Sequence, residues 1–199
     1  MKADEAADLM DKQTEADRFK QRAAAVIAFF AMVLAICGLG GSNAGKEAVN
    51  NNVLASNYFN FYQAKNMRQT SLTLAANELE MGWLNLPGLP DSARQAMQAR
   101  LEQYRKTIER YESEPDTQEG KKELQVRARE HEQKRDHALK QDPYFDYAEA
   151  LLQIAIVLTS VAIITGLAWL LVFGGVLGIV GVLLAINGFL LLVEIPGLA

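Results

Sequence analysis

The chain has 199 residues, a formal net charge of -4, half of its residues hydrophobic and a single cysteine, a length that holds one membrane domain and one modest extramembrane domain at most. A lone thiol excludes an intrachain disulfide and a thiolate metal site. Charge is nearly balanced, with five Lys/Arg against six Asp/Glu in residues 1–22 and fifteen against sixteen in residues 40–147, which excludes the positive field that nucleic-acid binding needs.

Residues 1–22 read as a charged helix with mixed-sign neighbours such as Asp8 and Lys12. Residues 23–39 follow without a charge, at the lower edge of the length a spanning helix needs. A long, acid-containing leader argues against a cleaved signal peptide, so this run is expected to remain as a membrane anchor. The stretch from Gly40 to Lys46 matches the opening of a phosphate-binding loop. Glu47, however, stands where that loop needs a hydroxyl for magnesium, and a membrane helix precedes it in place of a strand. It reads as a flexible exit from the membrane.

Residues 40–147 are expected to form an extramembrane helical domain. Leu54, Tyr58, Phe61, Leu72, Ala75 and Leu79 fall at helical spacing, interrupted by Lys65 and Arg68 and weakened at the start by a cluster of asparagines. The Leu86–Pro90 segment ends that helix, and Asp91 or Ser92 is placed to cap a second. Met97, Leu101, Tyr104, Ile108 and Tyr111 continue in a 4-3-4-3 register, which predicts an antiparallel, coiled-coil-like hairpin. After Glu114-Pro115-Asp116, residues 120–141 resume as a charged helix with a poor apolar stripe, solvated on most sides. His131, His137, Glu112 and Glu114 read as solvated groups. Asp142-Pro143 marks a bend, and Tyr144, Phe145 and Tyr147 suit the aromatic belt of a membrane interface.

Ala150 to Val193 is forty-four residues without a charged side chain. As one helix it would run about 66 Å, roughly twice the ~30 Å hydrocarbon core, so it must fold back. Residues 148–194 are therefore expected to be a transmembrane helical hairpin, followed by a tail over 195–199. Its turn is placed near 165–168 in preference to Gly174-Gly175. The fold class is thus all-α, with three transmembrane helices and a helical insert between the first and second.

Small side chains recur along each span: Ala24, Ala28, Ala31, Ala35 and Gly38; Ala155, Thr159, Ala162 and Gly166; and Gly174, Gly178, Gly181, Ala185 and Gly188. Membrane helices associate by close backbone approach, which such seams permit. They are expected to dock the spans on each other and on neighbouring subunits. Gln153 and Asn187 are the amides within the spans and are expected to bond each other. No Gly-x-Ser-x-Gly elbow, His-Glu-x-x-His helix or Glu-x-x-His pair occurs, so no catalytic, cofactor or metal site is expected.

Asn57 to Arg68, an aromatic-rich stretch containing Tyr62-Gln63-Ala64-Lys65, and Ala150 to Leu158 carry a resemblance to bacterial membrane proteins grouped as "domain of unknown function 4337". The chain departs from that pattern near Gly166, where Arg or Lys would be expected. The resemblance implies a bacterial inner-membrane protein and supplies no reaction. Arg18, Lys20 and Arg22, against Lys46, favour a cytoplasmic N-terminus and a periplasmic insert. The expected role is non-enzymatic: a self-associating scaffold or accessory subunit whose partners are the bilayer, other copies and possible subunits of a membrane complex. A channel or transport component is the alternative. A weaker one is a ligand sensor with Tyr58, Phe61, Tyr62, Tyr104 and Tyr111 lining a cleft.

Overall fold

A computed structural model describes residues 3–84 and 88–196, with side chains described from residue 13; Asp8, Lys12 and the 197–199 end of the tail lie outside the described side chains, as do Leu84–Pro87. Among the described residues the chain is all-α with no strand. Its helices are α1 (Ala3–Leu84), α2 (Asp91–Glu112), α3 (Lys121–Thr165) and α4 (Ala168–Leu190). Gln13–Trp83, Lys121–Thr165 and Ala168–Leu190 are long and apolar enough to cross a membrane. Two compact units emerge, one built from residues 1–48 and 136–199 and the other from residues 49–135.

Several expected breaks are absent. The Gly40–Lys46 segment is helical, as are the asparagines after it and Pro143 within α3. Glycine is a weak helix former, but here its missing side chain is what the packing uses. A Cβ on Gly40 would stand 2.7 Å from the Phe145 ring and 2.9 Å from that of Phe189, and one on Gly41 would stand 3.2 Å from Phe145. Tertiary contact thus outweighs intrinsic propensity. The chain does break at Gly166, whose φ of 69° suits a residue without a Cβ, whereas Gly174-Gly175 lies inside α4. The start of α2 differs too: Pro90 is its N-cap, without a side-chain cap from Asp91 or Ser92, and its carbonyl accepts from the N–H groups of Ala93 and Arg94.

In the first unit, the contacts between α3 and α4 step by seven in opposite directions along the two helices. Gly174 meets Thr159, Gly181 meets Leu152 and Gly188 meets Phe145. The α1 contacts are aromatic against glycine, with Phe30 on Gly178 of α4 and Phe145 of α3 on Gly40. Phe145, Cys37, Ala44, Ala148 and Ala185 form one buried cluster; Phe30, Leu152 and Ala155 form another. Tyr144 and Phe145 are each 1% exposed, so of the three expected belt aromatics only Tyr147 faces outward. The Tyr144 hydroxyl instead donates to the Val193 carbonyl (3.1 Å) and accepts from the Ile195 N–H (2.9 Å), tying down the chain beyond α4.

Adding a methyl group at Gly178 forces it into the buried Phe30 ring. Gly178→Ala is expected to destabilise the protein by about 1–3 kcal/mol. Pairing it with Phe30→Leu should recover part of that loss, as read by thermal unfolding in detergent. An unchanged melting temperature for the single variant would refute the contact.

Candidate functional site

The second unit is organised along one stripe of α1. Asn51, Ala55, Tyr58, Tyr62, Lys65, Gln69, Leu72, Ala76 and Leu79 alternate by four and three, and each is buried or half-buried. This is the a/d spacing of helices that pack side by side. Lys65 belongs to it and does not interrupt it. Its side chain is 6% exposed, its Nζ lies 3.6 Å from Glu114 and 3.7 Å from Glu119, and the cation stands over the rings of Phe61 (5.2 Å) and Tyr111 (5.6 Å). Two carboxylates and two ring faces replace the water that a buried ammonium gives up.

One turn further, Gln69 joins three chain segments. Its amide nitrogen donates to the Ile108 carbonyl and to Glu112, both at 3.1 Å, while its oxygen accepts from Lys121 at 2.6 Å. Lys121 also lies 3.2 Å from Glu112 and over the Tyr62 ring. Two to four turns the other way along α1, His131 shares a 2.8 Å hydrogen bond with Asn51 and stacks on Tyr58 at 5.5 Å, with Arg127 against that same ring. His131, Glu112 and Glu114 are therefore packed groups, contrary to their reading as solvated ones; His137 is exposed. Segment 120–135 is not solvated on most sides either, since Leu124 and Ala128 are 1% and 0% exposed.

The link between α2 and α3 closes on Glu123, which accepts from the Ser113 hydroxyl (2.6 Å) and the Glu114 N–H (3.1 Å). Buried Gly120 makes room for it, because any Cβ there would collide with Glu123 and with the backbone of Ser113 and Glu114. Hydrogen bonds from Gln69 and Lys121 hold the Glu112 carboxyl below the usual carboxylate range. The Ser113 hydroxyl, then the Glu114 amide, does the same for Glu123.

The apolar residues expected to pack here differ in their placement. Tyr58, Leu72, Leu79, Met97, Leu101, Tyr104, Ile108 and Tyr111 are half-buried, as is Leu54. Leu54 and Phe61, the latter 36% exposed, sit one residue off the seam occupied by Ala55 and Tyr62. A search for apolar types alone slips by one position; following the 4-3 step through Lys65 and Gln69 does not. The aromatic cleft is filled by the protein's own cations: Arg100 stands over Tyr104, as Lys65, Lys121 and Arg127 stand over the others.

In the first unit, Ala155, Thr159 and Ala162 are buried, and so are Gly174, Gly178, Gly181, Ala185 and Gly188; Gly166 is exposed at the break between helices. Ala24, Ala28, Ala31 and Ala35 face outward, and Gly38 is half-buried against Glu149. The buried line of α1 is one residue away, through Ala23, Phe30, Cys37 and Ala44. Where α4 presents Gly178, this line carries the bulk of Phe30, and where α3 presents Phe145, α1 carries Gly40. Gln153 and Asn187 do not bond. Gln153 is exposed, whereas the Asn187 side chain donates to the Val193 carbonyl (2.8 Å) and accepts from the Val193 N–H (2.9 Å), closing the end of α4. The Thr159 hydroxyl is fully buried with no hydrogen-bond partner among the described residues.

The family model described as "Domain of unknown function (DUF4337)" matches residues 19–191. The chain belongs to that family. No curated protein and no solved structure was found to match it. Within this DUF4337 chain, the Tyr62-Gln63-Ala64-Lys65 segment supplies two members of the buried stripe, Tyr62 and Lys65.

Two outcomes follow for the DUF4337 polar seam. Lys65→Gln should cost about 1–3 kcal/mol, less than a fully buried pair would, because Glu114 and Glu119 keep 22% and 53% exposure and can rehydrate. A double-mutant cycle with Glu114→Gln would show coupling, and additivity would refute the pair. The lowered Glu112 and Glu123 pKa values add stability above their unfolded value of about 4.3, stability that is lost as pH falls through the lower folded values. Glu112→Gln with Glu123→Gln should therefore flatten the acid side of the helicity profile measured by circular dichroism.

Proposed function

We propose that the protein is a non-enzymatic, multi-pass membrane protein acting as a self-associating scaffold or accessory subunit. In this reading α1 supplies one span and α3 with α4 a transmembrane hairpin, while residues 49–135 form a helical insert on one side of the bilayer. One observation carries the membrane assignment. Only 22%, 28% and 28% of the most apolar windows of the three long helices are buried inside the chain. Ile164, Val172, Ile179 and Leu183, among others, face outward at 85%, 66%, 58% and 60% exposure. A continuous outward apolar surface of that kind matches hydrocarbon and opposes water.

The scaffold role is supported by how the second unit uses its polar groups. Lys65 is paired with Glu114 and Glu119, Gln69, Glu112 and Lys121 satisfy one another, and the neighbouring rings are covered by the chain's own cations. Such an arrangement fixes the relative register of helices and leaves its charges engaged in structure. The inner-membrane location and periplasmic placement of the insert rest on the sequence resemblance and on the basic residues before the first span.

Fractionation tests the membrane assignment: the protein should stay with the membrane pellet through alkaline extraction and require detergent for release. Recovery in the soluble fraction would overturn it. A reporter fused at exposed Gly88 should be active on one face of the membrane only, and periplasmic activity is expected.

A further inference from the structure

The face of α1 turned away from the Lys65 seam carries a second heptad. Val53, Asn60, Met67, Leu74 and Met81 recur every seven residues, and Val49, Ser56, Gln63, Thr70 and Asn77 fall between them at the complementary spacing; all ten are exposed. Val49, Met67, Leu74 and Met81 are 67%, 71%, 59% and 63% exposed. Surface helices normally fill such positions with charge. Here, of nineteen exposed residues between Val49 and Met81, only Arg68 and Glu78 are charged. On α2 eight of fourteen exposed residues are charged. Charge depletion with apolar residues at regular spacing is the mark of an interface core.

Three hydroxyls on this face are also prepared for burial. The hydroxyls of Thr70, Ser71 and Thr73 donate to the carbonyls of Asn66, Met67 and Gln69, four residues back, at 2.9, 3.0 and 2.8 Å. Their donors are satisfied within the helix, so covering them leaves no orphan donor.

We propose that this face pairs with the same face of a second copy, in parallel and in register. The parallel sense rests on the membrane assignment above, since copies inserted with one topology carry the segment in one direction. In that register Asn60 meets Asn60, an amide pair that fixes alignment at a core position. The flanking pairs between copies are Asn52 with Asn57, Phe59 with Ala64, Asn66 with Ser71, and Thr73 with Glu78, none of them a like-charge clash. A neutral strip is the complement of itself, whereas the charged face of α2 is not.

The test uses full-length protein in native membranes, in a Cys37→Ala background, with Asn60→Cys, Met67→Cys, Leu74→Cys or, on α2, Ala99→Cys. Oxidation should yield same-site dimers at 60, 67 and 74 and little at 99, because a disulfide needs Cα atoms within about 7 Å. Met67→Glu with Leu74→Glu should lower crosslinking through Asn60→Cys by about tenfold while helicity is retained. The proposal is overturned by equal crosslinking at 99, by absence of dimers at all three seam positions, or by adducts to a chain of another mass. Release of the protein by alkaline extraction would defeat the membrane reading separately, and seam dimers formed in that soluble fraction would still support the face.

Discussion

Aromatic rings seated on missing side chains hold the first unit together. Phe30 occupies the space over Gly178, and Phe145 that over Gly40 and Gly188. In a hydrocarbon surrounding there is no hydrophobic gain in bringing such helices together, so contact density must supply the attraction. A ring against bare backbone gives more contact than alanine against alanine. Gly40, Gly178 and Gly188 accordingly lie buried beneath rings, while the Ala24, Ala28, Ala31 and Ala35 line of α1 turns outward. The same contact explains why glycines that would weaken an isolated helix lie within one here.

The second unit solves a different problem. In the proposed arrangement this unit faces water and its helices could have packed through leucines, yet the stripe passes through Asn51, Lys65 and Gln69. Buried ion pairs add little net stability, since desolvation offsets attraction. What they add is discrimination. Gln69 can satisfy Ile108, Glu112 and Lys121 together in one alignment of the three segments, and a slip of either neighbour by one turn would leave Lys65 without its carboxylates. The Tyr58 and His131 stack, with the Asn51 bond beside it, repeats the same logic at the other end of the seam.

Element identities were legible in the sequence because apolar runs and Pro/Gly clusters are strong local signals. The all-helical class and the break at Gly166 follow from these, whereas the division into four helices does not. Two kinds of feature were hidden. Continuity through Gly40–Lys46 goes with partners far away in the chain, Phe145 above all, which no local propensity reports. The positions of the seams were hidden by residue type: searching for large apolar side chains chose Leu54 and Phe61 over Ala55 and Tyr62, and searching for small residues chose Ala31 over Phe30. In both cases the error was one residue, or about 100° around a helix. The polar site was missed for the same reason, since Lys65 was taken as a gap in an apolar pattern. Periodicity applied without regard to polarity recovers it.

The two faces of α1 between Asn51 and Met81 share one repeat and differ in what meets them. Each advances by seven residues, so each drifts only about 20° per heptad around a straight helix, a drift that a left-handed supercoil takes up. The inner face is met by α2 and α3, and its charges find charges there. Nothing within the described chain covers the outer face, and its composition is the reverse: amides, hydroxyls bonded to their own backbone, and apolar side chains, almost without ions. Solvation alone does not require that difference, because α2 lies in the same unit and carries abundant exposed charge. A helix under selection only for packing inward would be free to place lysine and glutamate outward. That neutrality is the feature left to explain, and the proposed pairing of like faces explains it with the fewest additional parts.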